Sequence, residues 1–195
     1  MRKTAVLGVA AAATLCVTAA LAVQDGQTQD AAFMPSPESL KAMAPGPHHA
    51  QLAKLAGDYD IELKWRMGPD QPWNTNAYEA HREMVMDGRQ LQEVIEGEFM
   101  GQPFRGESIV GYDNVRGEYH SVWFDNMGTG MMYVTGTADD SGAVTFEGTC
   151  SDPWTMEKNR WSKSVMSADG KLFDMYAKTP EGTVFKSMTI VYTPK

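Results

Sequence analysis

The stretch Asp58-Tyr59-Asp60-Ile61-Glu62-Leu63-Lys64-Trp65-Arg66 decides the fold class. Tyr59, Ile61, Leu63 and Trp65 alternate with charged residues at every step, the two-residue period of a strand with one face in a core and the other in water. A helix of 3.6 residues per turn would scatter the same four side chains around its circumference. The period recurs in segments near 76–86, 89–100, 103–112, 117–124, 130–137, 143–150, 158–167, 171–178 and 183–193. Between them stand Asp87-Gly88, Asp139-Asp140-Ser141-Gly142, Ala168-Asp169-Gly170 and Pro180-Glu181-Gly182, which adopt tight-turn conformations that other residues resist. About ten short strands joined in this way make an antiparallel meander rather than βαβ units. An open sheet of that size exposes two edges and an apolar face. Closure removes them, so the expected fold is an all-β closed barrel, with a two-sheet sandwich as the alternative.

Upstream of the first strand, residues 47–56 read as a short helix: Pro47 suits its first turn, Leu52 and Leu55 share a face, and Gly57 stops it. Residues 23–46 contain Pro35, Pro37 and Pro45 with no sustained apolar period, and read as a flexible linker, with a loose helical turn over residues 36–43 as the alternative. Residues 1–22 read as a secretory signal peptide, with Arg2 and Lys3, an apolar run over 5–19, and the small residues Ala20 and Ala22 around Leu21. The run is shorter than the ~20 residues of a spanning helix. Leu15 precedes Cys16 where a lipoprotein signal has a small residue. The expectation is an exported chain, periplasmic or extracellular, with one β domain over 47–195 and no membrane span after cleavage.

The whole chain of 195 residues carries 17 Lys and Arg against 25 Asp and Glu, a net charge of −8. Cleavage would remove Arg2 and Lys3 and no acidic residue. Nucleic acid and anionic membrane surfaces are therefore poor partners, since both need a basic face. Nothing in the pattern sets an oligomeric state. Cys150 is the only cysteine of the mature chain; in phase with Val144, Phe146 and Gly148, it is expected to be buried and inert.

Four groups of residues carry a resemblance. They are His49-x-x-Leu52-x-x-Leu55-x-Gly57, Pro103-Phe104-x-Gly106-x-x-x-x-Gly111-Tyr112-Asp113, Tyr119-x-x-x-Trp123-x-Asp125 and Lys186-x-Met188-x-Ile190-x-Tyr192-Thr193. Together they resemble an uncharacterised bacterial family of exported proteins, a domain of unknown function with lipocalin-like (calycin) barrels. The resemblance implies the barrel and brings no activity or catalytic residues with it. A related branch of ten-stranded barrels binds haem through a histidine near the C-terminal strand. Residues 183–195 contain none, and no cofactor is expected.

Chemistry-bearing constellations are sparse. His48 and His49 are adjacent and diverge, and the pair His81 and Glu83 lacks a third local partner, so no metal site is expected. Asp58 with Asp60, and Glu96 with Glu98, alternate with apolar residues and belong to the solvated exterior. No nucleophile elbow or phosphate loop is present, and no catalytic residue is assigned. The aromatic content points instead to an interior able to hold a small apolar or amphipathic ligand. The candidate lining is Tyr59, Trp65, Tyr112, Tyr119 and Trp123. Arg82, in phase with Tyr78, Ala80 and Met84, would serve as an inward polar anchor, or else pair with an internal carboxylate. The segment from Met127 to Met132, with Gly128 and Gly130, reads as a rim loop or an ordinary hairpin. Two alternative functions stand beside ligand binding: an enzyme with His120 or Asp125 at the barrel mouth, and a structural or protein-interaction domain of the cell envelope.

Overall fold

A computed structural model describes residues Met34–Lys195; the expected signal peptide and the first part of the linker lie outside the described residues. Two short helices, α1 (Pro37–Met43) and α2 (Pro47–Ala53), precede ten strands. These are β1 (Gly57–Trp65), β2 (Asn74–Val85), β3 (Gln90–Phe99), β4 (Gln102–Asp113), β5 (Glu118–Asp125), β6 (Met132–Ala138), β7 (Val144–Asp152), β8 (Glu157–Met166), β9 (Leu172–Lys178) and β10 (Val184–Pro194). Each strand pairs antiparallel with its neighbours in sequence, and β10 returns to pair with β1, so the sheet is a closed barrel and not a sandwich.

Register turns the sequence alternation into an inside and an outside. Ile61 lies opposite Tyr78 on one side and Tyr192 on the other, which puts the three side chains in one inward row. That row belongs to a buried cluster of Tyr59, Ile61, Tyr78, Ala80, Ile95, Ile190 and Tyr192. A second cluster closes one end. Leu52 and Leu55, from α2 and the turn after it, pack on Leu91, Val110, Tyr119, Val134, Val144, Phe146 and Met166. Helix α2 is thus a plug held by burial of its apolar face rather than by its own short length.

The outer face holds the charges. His81 pairs with Asp58 at 2.7 Å, and Lys195 with Glu79 at 3.0 Å and Asp60 at 3.3 Å, while Arg105 bridges Glu96 and Glu107. The paired carboxylates Asp58 with Asp60 and Glu96 with Glu98 lie on this exposed surface, as alternation requires. Exposed pairs of this kind are screened by solvent and contribute little to stability. Among the described residues no helix is long and apolar enough to cross a membrane.

Within the stretch read as linker, the alternative of a helical turn is the one the structure holds: Pro37–Met43 is a helix. Ser36 caps it, its Oγ accepting the Ser39 N–H at 3.1 Å, and Pro37 and Glu38 occupy its first turn. Its far end is pinned from the barrel: Asn114 Nδ2 donates to the carbonyls of Ala42 and Ala44, and Arg89 donates to that of Met43. The helix buries no side chain. That is why no apolar period announced it.

Candidate functional site: the two ends of the barrel

The six candidate lining residues divide between opposite ends. Tyr59, Arg82, Tyr112 and Tyr119 lie at the plugged end, and Trp65 and Trp123 at the end that no helix of the described residues crosses.

At the plugged end the polar groups are engaged with one another. Arg82 Nε donates to the Glu93 carboxylate, its Nη1 donates to the Gly170 carbonyl at 2.9 Å, and its guanidinium lies 3.8 Å from the Tyr192 ring centre and 5.1 Å from that of Tyr59. Arg82 and Glu93 are both buried, and the Tyr192 hydroxyl reaches Glu93 at 3.4 Å. Burial pushes the Tyr192 hydroxyl far above the ordinary tyrosine range. Of the two arrangements open to an inward arginine, the structure holds the internal carboxylate pair. The neighbouring tyrosines dock the plug. His48 stacks on Tyr112 at 3.8 Å between ring centres and hydrogen bonds the Tyr119 hydroxyl at 3.0 Å.

His49 Nδ1 accepts the Gly46 N–H at 3.0 Å, so this nitrogen carries no proton. Burial holds the ring below the ordinary histidine range, opposed by a hydrogen bond to the Tyr112 backbone and reinforced by the charges of His48, Arg89 and His120. A ring whose folded pKa is lowered takes up fewer protons than the unfolded chain. Its contribution to stability is complete above the unfolded value, about 6.5, and is lost as pH falls through the window below it. Substitution His49→Gln should therefore cost about 1 kcal/mol at pH 7.5, the scale of a helix cap, and less at pH 5. Urea titrations of both proteins at the two pH values measure it; an equal cost at both would remove His49 as the source.

A cleft of about 240 Å³ lies between the α1–α2 segment and the strand ends, lined by Met43, His49, Arg89, Gln90, Tyr112 and His120 among others. Gly111 makes room there, because a Cβ would stand 2.0 Å from Gln90 Oε1 and 2.5 Å from His120 Nε2. His120 faces outward from β5 and bonds Gln90 Oε1 through Nε2 at 3.1 Å. Asp125 ends the same strand at the other mouth, accepting the Trp123 indole N–H and the Met127 N–H, each at 2.9 Å. Five strand residues separate His120 from Asp125, about 17 Å at the usual rise. They do not share a site. A second concavity, of about 370 Å³, lies on the outer face among Asp58, Glu79, His81, Glu96 and Lys195. Among the described residues no three His, Cys, Asp or Glu side chains converge as a metal centre would need.

The open end is built differently. The register turns Leu63, Trp65, Phe99, Phe104, Trp123 and Met188 toward the axis, yet all are only half-buried. The Trp123 ring lies along the wall over Gly106, where a Cβ would come within 2.3 Å of it. Trp65 donates its indole N–H to Asn76 at 3.0 Å and packs against Phe99 at 6.0 Å between ring centres. Arg160 donates to the buried Asp152 at 2.5 Å, and Asp152 also accepts the Trp154 N–H at 2.9 Å. Burial alone would raise the Asp152 carboxyl, but these donors hold it below the usual range. Cys150, opposite Arg160 in the ladder, is half-buried, and burial pushes its thiol up, away from the thiolate a nucleophile needs.

Small polar side chains also turn inward: Ser108 of β4 beside Trp123, and Ser121 of β5 beside Val110. Ser162 and Ser164 of β8, 6% and 3% exposed, form a small stretch of wall beside Gly148 and Phe146. None of the four hydroxyls bonds another protein group among the described residues. Among the described residues no fully enclosed side-chain nitrogen or oxygen lacks a partner, so these hydroxyls are not completely enclosed. Residue reasoning missed these inward serines, although the alternation of Ser162 and Ser164 with Trp161 and Lys163 carried the signal.

Similarity to known proteins agrees with the architecture. No curated protein matches the chain. A crystal structure of Rv2717c from M. tuberculosis superposes with a TM-score of 0.52 at 12% identity, covering 78% of this chain and 99% of that one, which speaks for the fold alone. The family model described as protein of unknown function (DUF1579) matches residues 44–194, from the turn before α2 to the end of β10. With the match spanning the plug, the whole barrel and all four groups of motif residues, the chain belongs to that uncharacterised family, DUF1579.

Proposed function

We propose that this protein binds one small amphipathic molecule in the open half of its barrel. The observation that carries the proposal is the contrast between the two ends: Tyr59, Tyr119, Phe146 and Tyr192 are buried toward the plug, whereas Trp65, Phe99, Phe104 and Trp123 are only half-buried at the open mouth. Trp65, Phe104 and Trp123 supply an apolar wall, and the serine hydroxyls of β4, β5 and β8 supply acceptors and donors, Ser108 beside Trp123 and the others deeper toward the plug. Such a mixture of aromatic lining and a few convergent polar groups is what small-molecule sites use. Of the six candidate lining residues, Trp65 and Trp123 take part, and the other four hold the plugged end. The reading of residues 1–22 as an export signal belongs with this proposal, because a carrier outside the cytoplasm is one use for such a lumen.

The test uses 1-anilinonaphthalene-8-sulfonate as an amphipathic fluorescent probe. One saturable equivalent per chain is expected, with quenching of tryptophan emission as Trp65 and Trp123 are covered. Ser162→Leu, which fills the lumen from the small wall, should weaken binding at least tenfold with the near-ultraviolet dichroism of the barrel retained. Unsaturable binding, or equal binding by the variant, would end this reading.

A further inference from the structure

The loops at the two ends of the barrel have opposite chemistry. Those at the plugged end, residues 86–89, 114–117, 139–143 and 167–171, carry seven charged side chains, among them Arg116, Asp140 and Lys171. Those at the open end, residues 66–73, 100–101, 126–131, 153–156 and 179–183, carry three: Arg66, Asp70 and Glu181. Arg66 is folded back, donating to the Lys186 carbonyl at 2.9 Å and lying 4.5 Å from the Trp73 ring centre. In place of charge, four of these five loops expose large apolar side chains. They are Met67 and Trp73 from the first, Met100 from the second, Met127 and Met131 from the third, and Trp154 and Met156 from the fourth. Trp154 is 65% and Met156 82% exposed. Met86 and Val115 are the exposed large apolar side chains of the plugged-end loops.

We propose that this crown docks on an uncharged lipid surface, with the barrel mouth facing the lipid. Exposed apolar surface on this scale marks an interaction site. The arrangement favours a lipid surface over a protein. The apolar tips stand on separate loops around a ring, with the mouth between them, and a flat fluid layer is the partner all of them can enter at once. Tryptophan favours the membrane–water interface, and methionine is unbranched and adaptable. The charge pattern selects the lipid: an acidic chain with an almost uncharged crown is repelled by anionic headgroups and tolerated by zwitterionic ones. The charged outer face rules out the lipid-facing apolar band of a spanning barrel, so the protein sits on the surface by its end. Asp152 prepares the crown, because the carboxylate held by Arg160 fixes the Trp154 loop. Docking does not depend on the lumen holding a ligand.

The experiment is tryptophan quenching of the full chain by phosphatidylcholine vesicles brominated in the acyl chains. Residues 1–33 contain no tryptophan, so their apolar run can add to vesicle binding without adding to this signal. The wild-type protein should be quenched and blue-shifted on phosphatidylcholine, independently of salt, and quenched less on vesicles rich in phosphatidylglycerol. The triple variant Met127→Ser/Met131→Ser/Met156→Ser, with every tryptophan kept, should need at least tenfold more lipid for the same quenching. The control Met86→Ser/Val115→Ser, at the plugged end, should behave as wild type. Absence of quenching, equal loss in both variants, or concentration-dependent dimerisation that the triple variant abolishes would overturn the proposal; the last result would assign the crown to a second copy of the chain. Probe binding in the lumen and quenching at the crown are read separately, so either can fail alone.

Discussion

Replacing Glu93 by alanine is expected to destabilise the barrel by about 3–5 kcal/mol, because it leaves the Arg82 guanidinium buried without a counter-charge. The Gly170 carbonyl and the Tyr192 ring remain beside it, but neither carries the charge that balances it. Arg82→Ala should fall in the same range, stranding Glu93 with only the distant Tyr192 hydroxyl. The informative protein is the double variant Arg82→Met/Glu93→Leu. Removing both charges avoids both desolvation penalties and fills similar volume, so it should recover most of the loss or exceed wild type. Guanidinium titrations of the four proteins close the cycle. If the double variant is as unstable as either single one, the pair is required by its shape and hydrogen bonds, and the charge argument fails.

Phe146→Ala is expected to cost about 3–5 kcal/mol, the range for deleting a buried aromatic ring. Phe146 is among the most completely buried side chains of the described residues, and its ring fills the space over Gly136. The neighbourhood cannot refill the cavity. A Cβ at Gly136 would lie 2.8 Å from the ring, which the variant removes, but also 2.5 Å from the Thr145 carbonyl oxygen, which is ladder backbone and stays. Adding Gly136→Val to Phe146→Ala should therefore deepen the loss in the same titration. Recovery would mean that β6 and β7 can part, contrary to their continuous register from Tyr133 to Ala138.

The barrel was legible because alternation is a local property. From Tyr59 onward each strand announces which of its faces is buried, and a meander with that period has few places to go. The inward direction of Arg82 was legible for the same reason. Its partner carried the same signal, since Glu93 lies in phase with Leu91 and Ile95 on β3, but a carboxylate inside an apolar run draws the eye only once its arginine is opposite. Grouping Tyr59 and Tyr119 with Trp65 and Trp123 as one lining went beyond what alternation can tell. Period two fixes the side of the sheet and leaves the height along the barrel to register. Helix α1 was legible only as an alternative to linker, since side chains from distant turns, Asn114 and Arg89, hold it. The fold was thus readable strand by strand, whereas the candidate site depends on which strand ends meet.

Closure of the barrel bears on how the chain reaches its fold. Every ladder but one joins strands adjacent in sequence, and the exception, β1 with β10, joins the first strand to the last. Hairpins of the first kind form locally and early, while the closing ladder spans the whole domain. Because the entropy of bringing chain ends together grows only with the logarithm of the loop, the long reach adds little beyond what a shorter one would require. What it adds is order. Until β10 has been made, the side of β1 away from β2 remains an unpaired edge. The charges that alternate along it, Asp58, Asp60, Glu62 and Lys64, are the kind that discourage a foreign strand from taking the place of β10.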